Sequence, residues 1–220
     1  MRSQLIRGFT LIEVLVTLVI LTFGLLGIAG LMAKGQRIAF EAYQRQQAVA
    51  LASDMAERIR GNRFLASICP TGPACTTYIA GAPTTTPLGT GAYYNDYRTG
   101  AIKDCASLTC SVQELALYDL ALWDGLLEGY SEQQVSGGAR IGGIVKARGC
   151  IVELTNTFGA CPVAPAPPGS IFTSSLLISV AWQGNDDTVI PLGTCGTGLY
   201  GAETKRRLAT YGLMVKQPCP

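Results

Sequence analysis

Hydrophobic and polar positions divide the chain into stretches of different periodicity. Positions 14–33 hold no charged residue, a run long enough to cross a bilayer as one helix. Beyond it the apolar positions thin to a stripe. Ile38, Ala42, Val49, Ala52, Met55, Ala56 and Ile59 follow three- and four-residue steps, so the same helix is predicted to continue past the apolar run. Gly61 and Asn62 supply a stop. A helix over 9–60 would be about 78 Å long at 1.5 Å per residue.

The pattern then changes. Residues 64–100, rich in Pro, Thr, Gly and Ala, read as a long ordered loop with a short helix or strand inside it. Tyr93, Tyr94 and Tyr97 in this stretch read as half-buried packing. Ser111 and Glu114 form a capping box that opens a helix through Leu115, Leu117, Leu120, Trp123, Leu126 and Leu127, with its apolar face to the core. Asp119 and Trp123 lie one turn apart in it and read as structural. Four later segments, 139–147, 150–154, 176–182 and 208–215, read as strands of period two. Leu176, Ile178, Val180 and Trp182 share one face, as do Ala209, Tyr211, Leu213 and Val215. The expectation is an α+β fold, a long amino-terminal helix laid against an antiparallel sheet. Residues 184–187 read as a hairpin turn, and 161–169, with four prolines, as a loop.

Composition excludes several kinds of protein. With 48% hydrophobic and 15% charged residues among 220, the chain is no disordered tail. It has no histidine, which removes Ser/His/Asp, Cys/His and His-ligated metal chemistry. Its acidic residues show no catalytic spacing, so no enzyme, catalytic residue, cofactor or metal is expected. Asn185, Asp186 and Asp187 offer too few oxygens for a calcium loop. Apart from Arg2 and Arg7, basic and acidic residues balance. Lys205, Arg206 and Arg207, the one basic run, read as a solvated strand edge, and a nucleic-acid partner is not expected.

Eight cysteines, Cys69, Cys75, Cys105, Cys110, Cys150, Cys161, Cys195 and Cys219, all follow the apolar run. That asymmetry places residues 61–220 in an oxidising compartment. Eight cysteines allow 105 pairings. The nearest-neighbour set, Cys69 with Cys75, Cys105 with Cys110, Cys150 with Cys161 and Cys195 with Cys219, is the expectation. The sequence lacks the close Cys-x2-Cys pairs that a zinc site would want.

Residues 1–8 are short and basic, and they have no apolar core of their own, unlike an ordinary signal peptide. Glu13, at the start of the apolar helix, is costly in lipid unless something neutralises it. The sequence Gly8-Phe9-Thr10-Leu11-Ile12-Glu13 before an apolar helix resembles the leader of type IV prepilins and the related pseudopilins. The resemblance implies a leader at 1–8, a helix at 9–60 whose residues 9–33 serve as membrane anchor and filament core, and a globular pilin domain at 61–220. It further implies cleavage after Gly8 by a prepilin peptidase, N-methylation of Phe9, and pairing of Glu13 with the amino group of a neighbouring subunit. Residues 51–62 and the helix bearing Asp119 and Trp123 resemble the PilV-type minor pilins.

The partners so implied are the peptidase, other major and minor pilins through the amino-terminal helix, the inner-membrane assembly platform and, before assembly, the inner membrane. With the cysteines outside, the amino terminus would be cytoplasmic and the assembled subunit on the cell surface. The expected role is a minor pilin supporting pilus assembly, adhesion, twitching motility or DNA uptake. A minor pseudopilin of a type II secretion system is the first alternative, and a membrane-anchored periplasmic sensor or binding domain the second.

Overall fold

Helix α1 runs Leu11–Gly61, close to the predicted 9–60, and stops where Gly61 and Asn62 were expected to stop it. The computed structural model describes residues 8–62, 73–130, 143–154 and 171–218. They fall into two compact units, Met1–Ala42 and Tyr43–Pro220. No described residue before Gln44 is buried. From there on, Gln44, Ala48, Ala52, Met55, Ala56 and Ile59 form the buried face of α1. The upper part of the predicted stripe is therefore corrected. Ile38, Ala42 and Val49 are exposed, because the buried row at that level runs through a glutamine that an apolar pattern passes over.

Short helices follow, α2 (Pro73–Gly81) and α3 (Ala92–Arg98), inside the stretch read as an ordered loop with a short element. Helix α4 (Val112–Glu128) opens on the expected capping box, Glu114 N–H to Ser111 Oγ at 3.2 Å and Ser111 N–H to Glu114 Oε2 at 2.7 Å. It closes on Gly129 at φ 75, a left-handed position that a side chain would strain.

Three strands form an antiparallel sheet in the order β1 (Arg148–Leu154), β2 (Ile171–Gln183), β3 (Arg206–Pro218). A strand over 139–147 was expected. Residues 143–147 instead make a turn, with Lys146 at φ 52 and Ala147 N–H donating to Ile144 O at 3.3 Å. Positions 139–142 lie outside the described residues. The link from β2 to β3 is no tight hairpin either. Gly184 N–H donates to Lys205 O at 2.8 Å, and the chain makes a long excursion between those two residues.

The pleat sorts the sheet's side chains as predicted. Leu176, Ile178, Val180 and Trp182 are buried on one face with their register partners Ile151 and Leu213, facing α1 and α4. Gly149 is required on this face, since a Cβ there would overlap Trp123 and Leu127 of α4. Trp123 is fully buried, and its Nε1–H donates to Leu51 O of α1 at 3.0 Å. Fully burying an aromatic side chain of this size stabilises by roughly 1.5–3 kcal/mol. The half-buried i,i+4 pair Arg58–Asp54, internal to α1, contributes only about 0.3–0.5 kcal/mol. Apolar packing joins α1 to the sheet and to α4.

Two buried acids organise the helices. Asp119 accepts from Tyr78 Oη at 2.7 Å and meets Arg58 at 3.5 Å, while Asn62 Nδ2 donates to Tyr78 Oη and Val112 O. Burial pushes the Asp119 carboxyl above its ordinary value, and burial with the Asp119 charge pushes the Tyr78 phenol up. Asp119 and Trp123 are thus the structural pair expected. Asp124, which the sequence did not mark, takes backbone N–H groups from Gly89 (2.6 Å), Thr90 (3.1 Å) and Tyr94 (3.2 Å) and so shapes the start of α3. The tyrosines pack as anticipated. Tyr94 lies 4.2 Å from Tyr130 and 6.0 Å from Tyr97, which meets Tyr118 at 5.5 Å.

Cys105 bonds Cys110 as expected. Cys150 bonds Cys195, which overturns both Cys150 with Cys161 and Cys195 with Cys219. The reason is the pleat. Cys150 points to the face of the sheet away from α1, and the excursion before β3 lays Cys195 over it beside Ala181 and Tyr200. Cys69, Cys161 and Cys219 lie outside the described residues, and with them the expected pairing of Cys69 with Cys75.

Candidate processing and assembly site

The residues singled out at the amino terminus lie on both sides of a helix start. Gly8, Phe9 and Thr10 precede the helix and are exposed, Phe9 at 83%, and a Cβ placed on Gly8 would meet no described residue beyond its neighbours. A peptide bond between Gly8 and Phe9 is therefore free of helical hydrogen bonding on either side. That is what a peptidase needs in order to bind the backbone in extended form.

Thr10 caps the helix. Its Oγ1 accepts the Glu13 N–H at 3.3 Å, and its carbonyl accepts the N–H groups of Glu13 at 3.1 Å and Val14 at 3.3 Å. The Thr-x-x-Glu spacing is the sequence signature of this cap. Thr10 is a capping position that the reading by motif left unmarked, although its signal stood in the sequence. Its hydroxyl fixes where the helix begins and so sets Glu13 in the first turn, at the positive end of the helix dipole. Phe9 and Glu13 are four residues apart, about one turn.

The described residues of the helix that follows are exposed throughout its apolar part. Leu15, Leu18, Ile20, Leu21, Leu25 and Leu31 are all exposed, and none of the most apolar window is buried. Its polar atoms are nonetheless satisfied locally, Thr17 Oγ1 donating to Val14 O and Thr22 Oγ1 to Val19 O, both at 2.9 Å. Such a segment meets the demand of a hydrocarbon environment that no backbone or hydroxyl group be left bare. It is long and apolar enough to cross a membrane. Gly24, Gly27 and Gly30 are open to their surroundings.

Elsewhere the residues considered for chemistry are engaged in the fold. Asp187 Oδ1 accepts from Thr204 Oγ1 at 2.5 Å, tying the acidic turn to the segment before β3. The basic run is corrected. Arg206 is 3% exposed, not on a solvated edge, because its guanidinium reaches back into the excursion and binds Gly193 O, Cys195 O, Pro191 O and Glu203. Arg207 donates to Thr204 O and Asp186 O. Glu203 is held below the usual carboxylate range by the Gly198 N–H and by Arg206.

A family model described as a prokaryotic N-terminal methylation motif matches residues 5–29. No curated protein and no solved structure matches the chain. The matched span contains Gly8, Phe9, Thr10, Glu13 and the first part of the apolar helix. It makes the chain type IV pilin-like or pseudopilin-like at its amino terminus, with processing by a prepilin peptidase and assembly into a pilus or pseudopilus as the implied fate.

Proposed function

We propose that this chain is a minor prepilin of a type IV pilus. The carrying observation is the methylation motif over 5–29, coinciding with an exposed segment at Gly8 and Phe9, a Thr10-capped helix start and an apolar helix whose described residues are exposed. In this reading the peptidase cuts after Gly8 on the cytoplasmic side and Phe9 is methylated. The apolar half of α1 anchors the subunit in the inner membrane until it moves into a filament.

Glu13 then has a defined task. A carboxylate moving among apolar helices must meet a cation or lose its charge, and the amino group of a neighbouring Phe9 is a cation at the right depth. The pair would set the axial register of subunits. The disulfide-bonded domain, exported and oxidised, supports pilus assembly, adhesion, twitching motility or DNA uptake by contact. It carries out no reaction of its own.

The test is made on the native host. Surface filaments are sheared from the envelope and the amino-terminal peptide of this protein is read by mass spectrometry in both fractions. An N-methylated Phe9 in the sheared fraction is the expected result. The same processed end confined to the envelope would transfer the chain to a secretion pseudopilus. An intact Met1 would overturn the reading and leave an anchored periplasmic domain.

A further inference from the structure

Cys150 has a nearer partner in the sequence than the one it takes. Cys161 lies 11 positions after it and Cys195 45. In a chain without structure, closing the longer loop is less probable by a factor of roughly eight on the usual scaling of loop-closure entropy. The pairing found is therefore one that native structure selects, and the excursion over 184–205 must bring Cys195 to the sheet before the bond exists to hold it there.

Apolar burial does not set the path of that excursion. Val189, Ile190, Leu192 and Leu199 are exposed, and within it only Gly184, Cys195, Gly196 and Tyr200 are buried. Its order comes from polar contacts that converge on one side chain. Arg206 opens β3 opposite Gln183 and so stands on the same face of the sheet as Cys150, which lies opposite Ser179. The buried Arg206 guanidinium donates to Pro191 O at 3.2 Å, Gly193 O at 2.6 Å and Cys195 O at 3.2 Å. Glu203 completes the clamp, accepting from Arg206 Nε at 2.6 Å and from the Gly198 N–H at 2.7 Å. The backbone on both sides of Cys195 is thus tied to one ion pair. The ends of the excursion are joined as well, Gly184 N–H to Lys205 O at 2.8 Å and Thr188 N–H to Thr204 O at 2.9 Å. Cys195 Sγ lies 3.8 Å from Arg148 O and from Ser179 O, acceptors already in place for a thiol. None of these contacts passes through the Cys150–Cys195 bond. A guanidinium is buried at tolerable cost only with its donors engaged, so pairing of β3 with β2 draws the loop carbonyls onto Arg206.

We infer that Arg206 is the positioning residue for this disulfide: it holds the reduced excursion over β1 and so selects Cys195, rather than Cys161, as the partner of Cys150. The chemistry is exchange with a disulfide oxidant of the glutathione class. One of the two thiolates attacks the oxidant's disulfide and releases one thiolate. The other attacks the resulting mixed disulfide, forms the Cys150–Cys195 bond and releases the second. Two electrons pass to the oxidant, and the two thiol protons pass to solvent or to the released thiolates. Arg206 takes no part in the transfer. It acts on the distance between the two thiols and hence on their effective concentration. The inference concerns the domain alone and stands apart from processing at Gly8.

The full-length chain in detergent is equilibrated with reduced and oxidised glutathione, and each pair is read by thiol trapping and mass spectrometry of the linked peptides. Arg206→Met is expected to lower the effective concentration of Cys150 and Cys195 at least tenfold. Arg206→Lys, which keeps the charge but not the planar fork, should lower it at least threefold. Cys105–Cys110, at the entry to α4, is the internal control and should move less than twofold. On oxidation from the reduced, unfolded chain, peptides joining Cys150 to Cys161 should rise in both variants. Fluorescence of the buried Trp123 and Trp182 reports that the reduced proteins remain folded, and if Arg206→Met does not fold, Arg206→Lys carries the test. An unchanged effective concentration in the folded variant would overturn the inference. So would an equal fall at Cys105–Cys110, or a Cys150–Cys161 link as the main product of the wild-type chain.

Discussion

The two halves of α1 are one continuous helix with opposite relations to the rest of the chain. From Gln44 to Ile59 the helix presents small and apolar side chains to a sheet and to α4, and Trp123 binds its backbone through Leu51. From Val14 to Ala33 it carries no charge on any side, and every described residue there is exposed. The first half is long and apolar enough to cross a membrane, and its composition suits a hydrocarbon surrounding. The second half is amphipathic because one side meets the sheet and the other meets water. Length and helix propensity are common to both. What separates them is whether apolar positions form a stripe or a sleeve.

Stability measurements on the full chain in detergent, by denaturant unfolding of the domain, can break that comparison. The largest effect is expected at the junction of α1, α4 and β1. Trp123→Ala leaves a cavity against Gly149 and strips Leu51 O of its donor, and should cost about 3–5 kcal/mol. Phe23→Ala, in the uncovered half, should shift the same transition by under about 0.5 kcal/mol. Equal losses would mean that the first half packs on the domain after all.

Next come the crosslinks. Replacing Cys150 and Cys195 by serine opens a loop with sequence separation 45, against 5 for Cys105 and Cys110. Chain entropy then predicts losses of about 4 and about 2 kcal/mol. A larger loss from the short pair would show that the framed excursion adds little to the fold.

A smaller, pH-dependent effect belongs to Asp119. Burial raises its folded carboxyl above the ordinary 3.8, so the folded state holds the proton more tightly than the unfolded chain does. The Asp119 contribution to stability should fall as pH rises from 3.8 through the folded value and level off above it. Asp119→Asn, which can still accept from Tyr78, should lack that slope. A wild-type minus Asp119→Asn difference of the opposite sign in this window, which cancels the rising contribution of the depressed Glu203, would count against burial as the dominant cause.

The smallest effect on the domain is expected from Glu13→Ala, which should leave the unfolding curve unmoved and cleavage after Gly8 largely intact. Its effect should fall on assembly, as a lower share of the protein in sheared filaments. Undiminished incorporation would sink the role proposed for this carboxylate.

What was legible in the sequence was what neighbours along the chain decide. The apolar run, the Thr10 and Ser111 caps, the stop at Gly61 and the alternation in β2 and β3 each arise from groups within a few residues of one another. So do their energies, and the motif over 5–29 is of the same local kind. Reading failed where partners come from far along the chain. Gln44 took a buried place that the pattern gave to Val49. Asp124 and Arg206, charged residues that a sequence reading assigns to solvent, were drawn inside by backbone groups at Gly89 and at Gly193. Cys150 joined Cys195 rather than the nearer Cys161.

The sequence by itself determined that this protein has a long helix, half of it meant for an apolar surrounding, and a disulfide-bonded α+β domain behind it. Tertiary structure alone decided which polar groups could be buried, which cysteines met and which loop was held rigidly out in water. Burial of a polar or charged group is favourable only when its hydrogen-bonding partners are already positioned, and those partners are set by strand register and helix packing across many tens of residues.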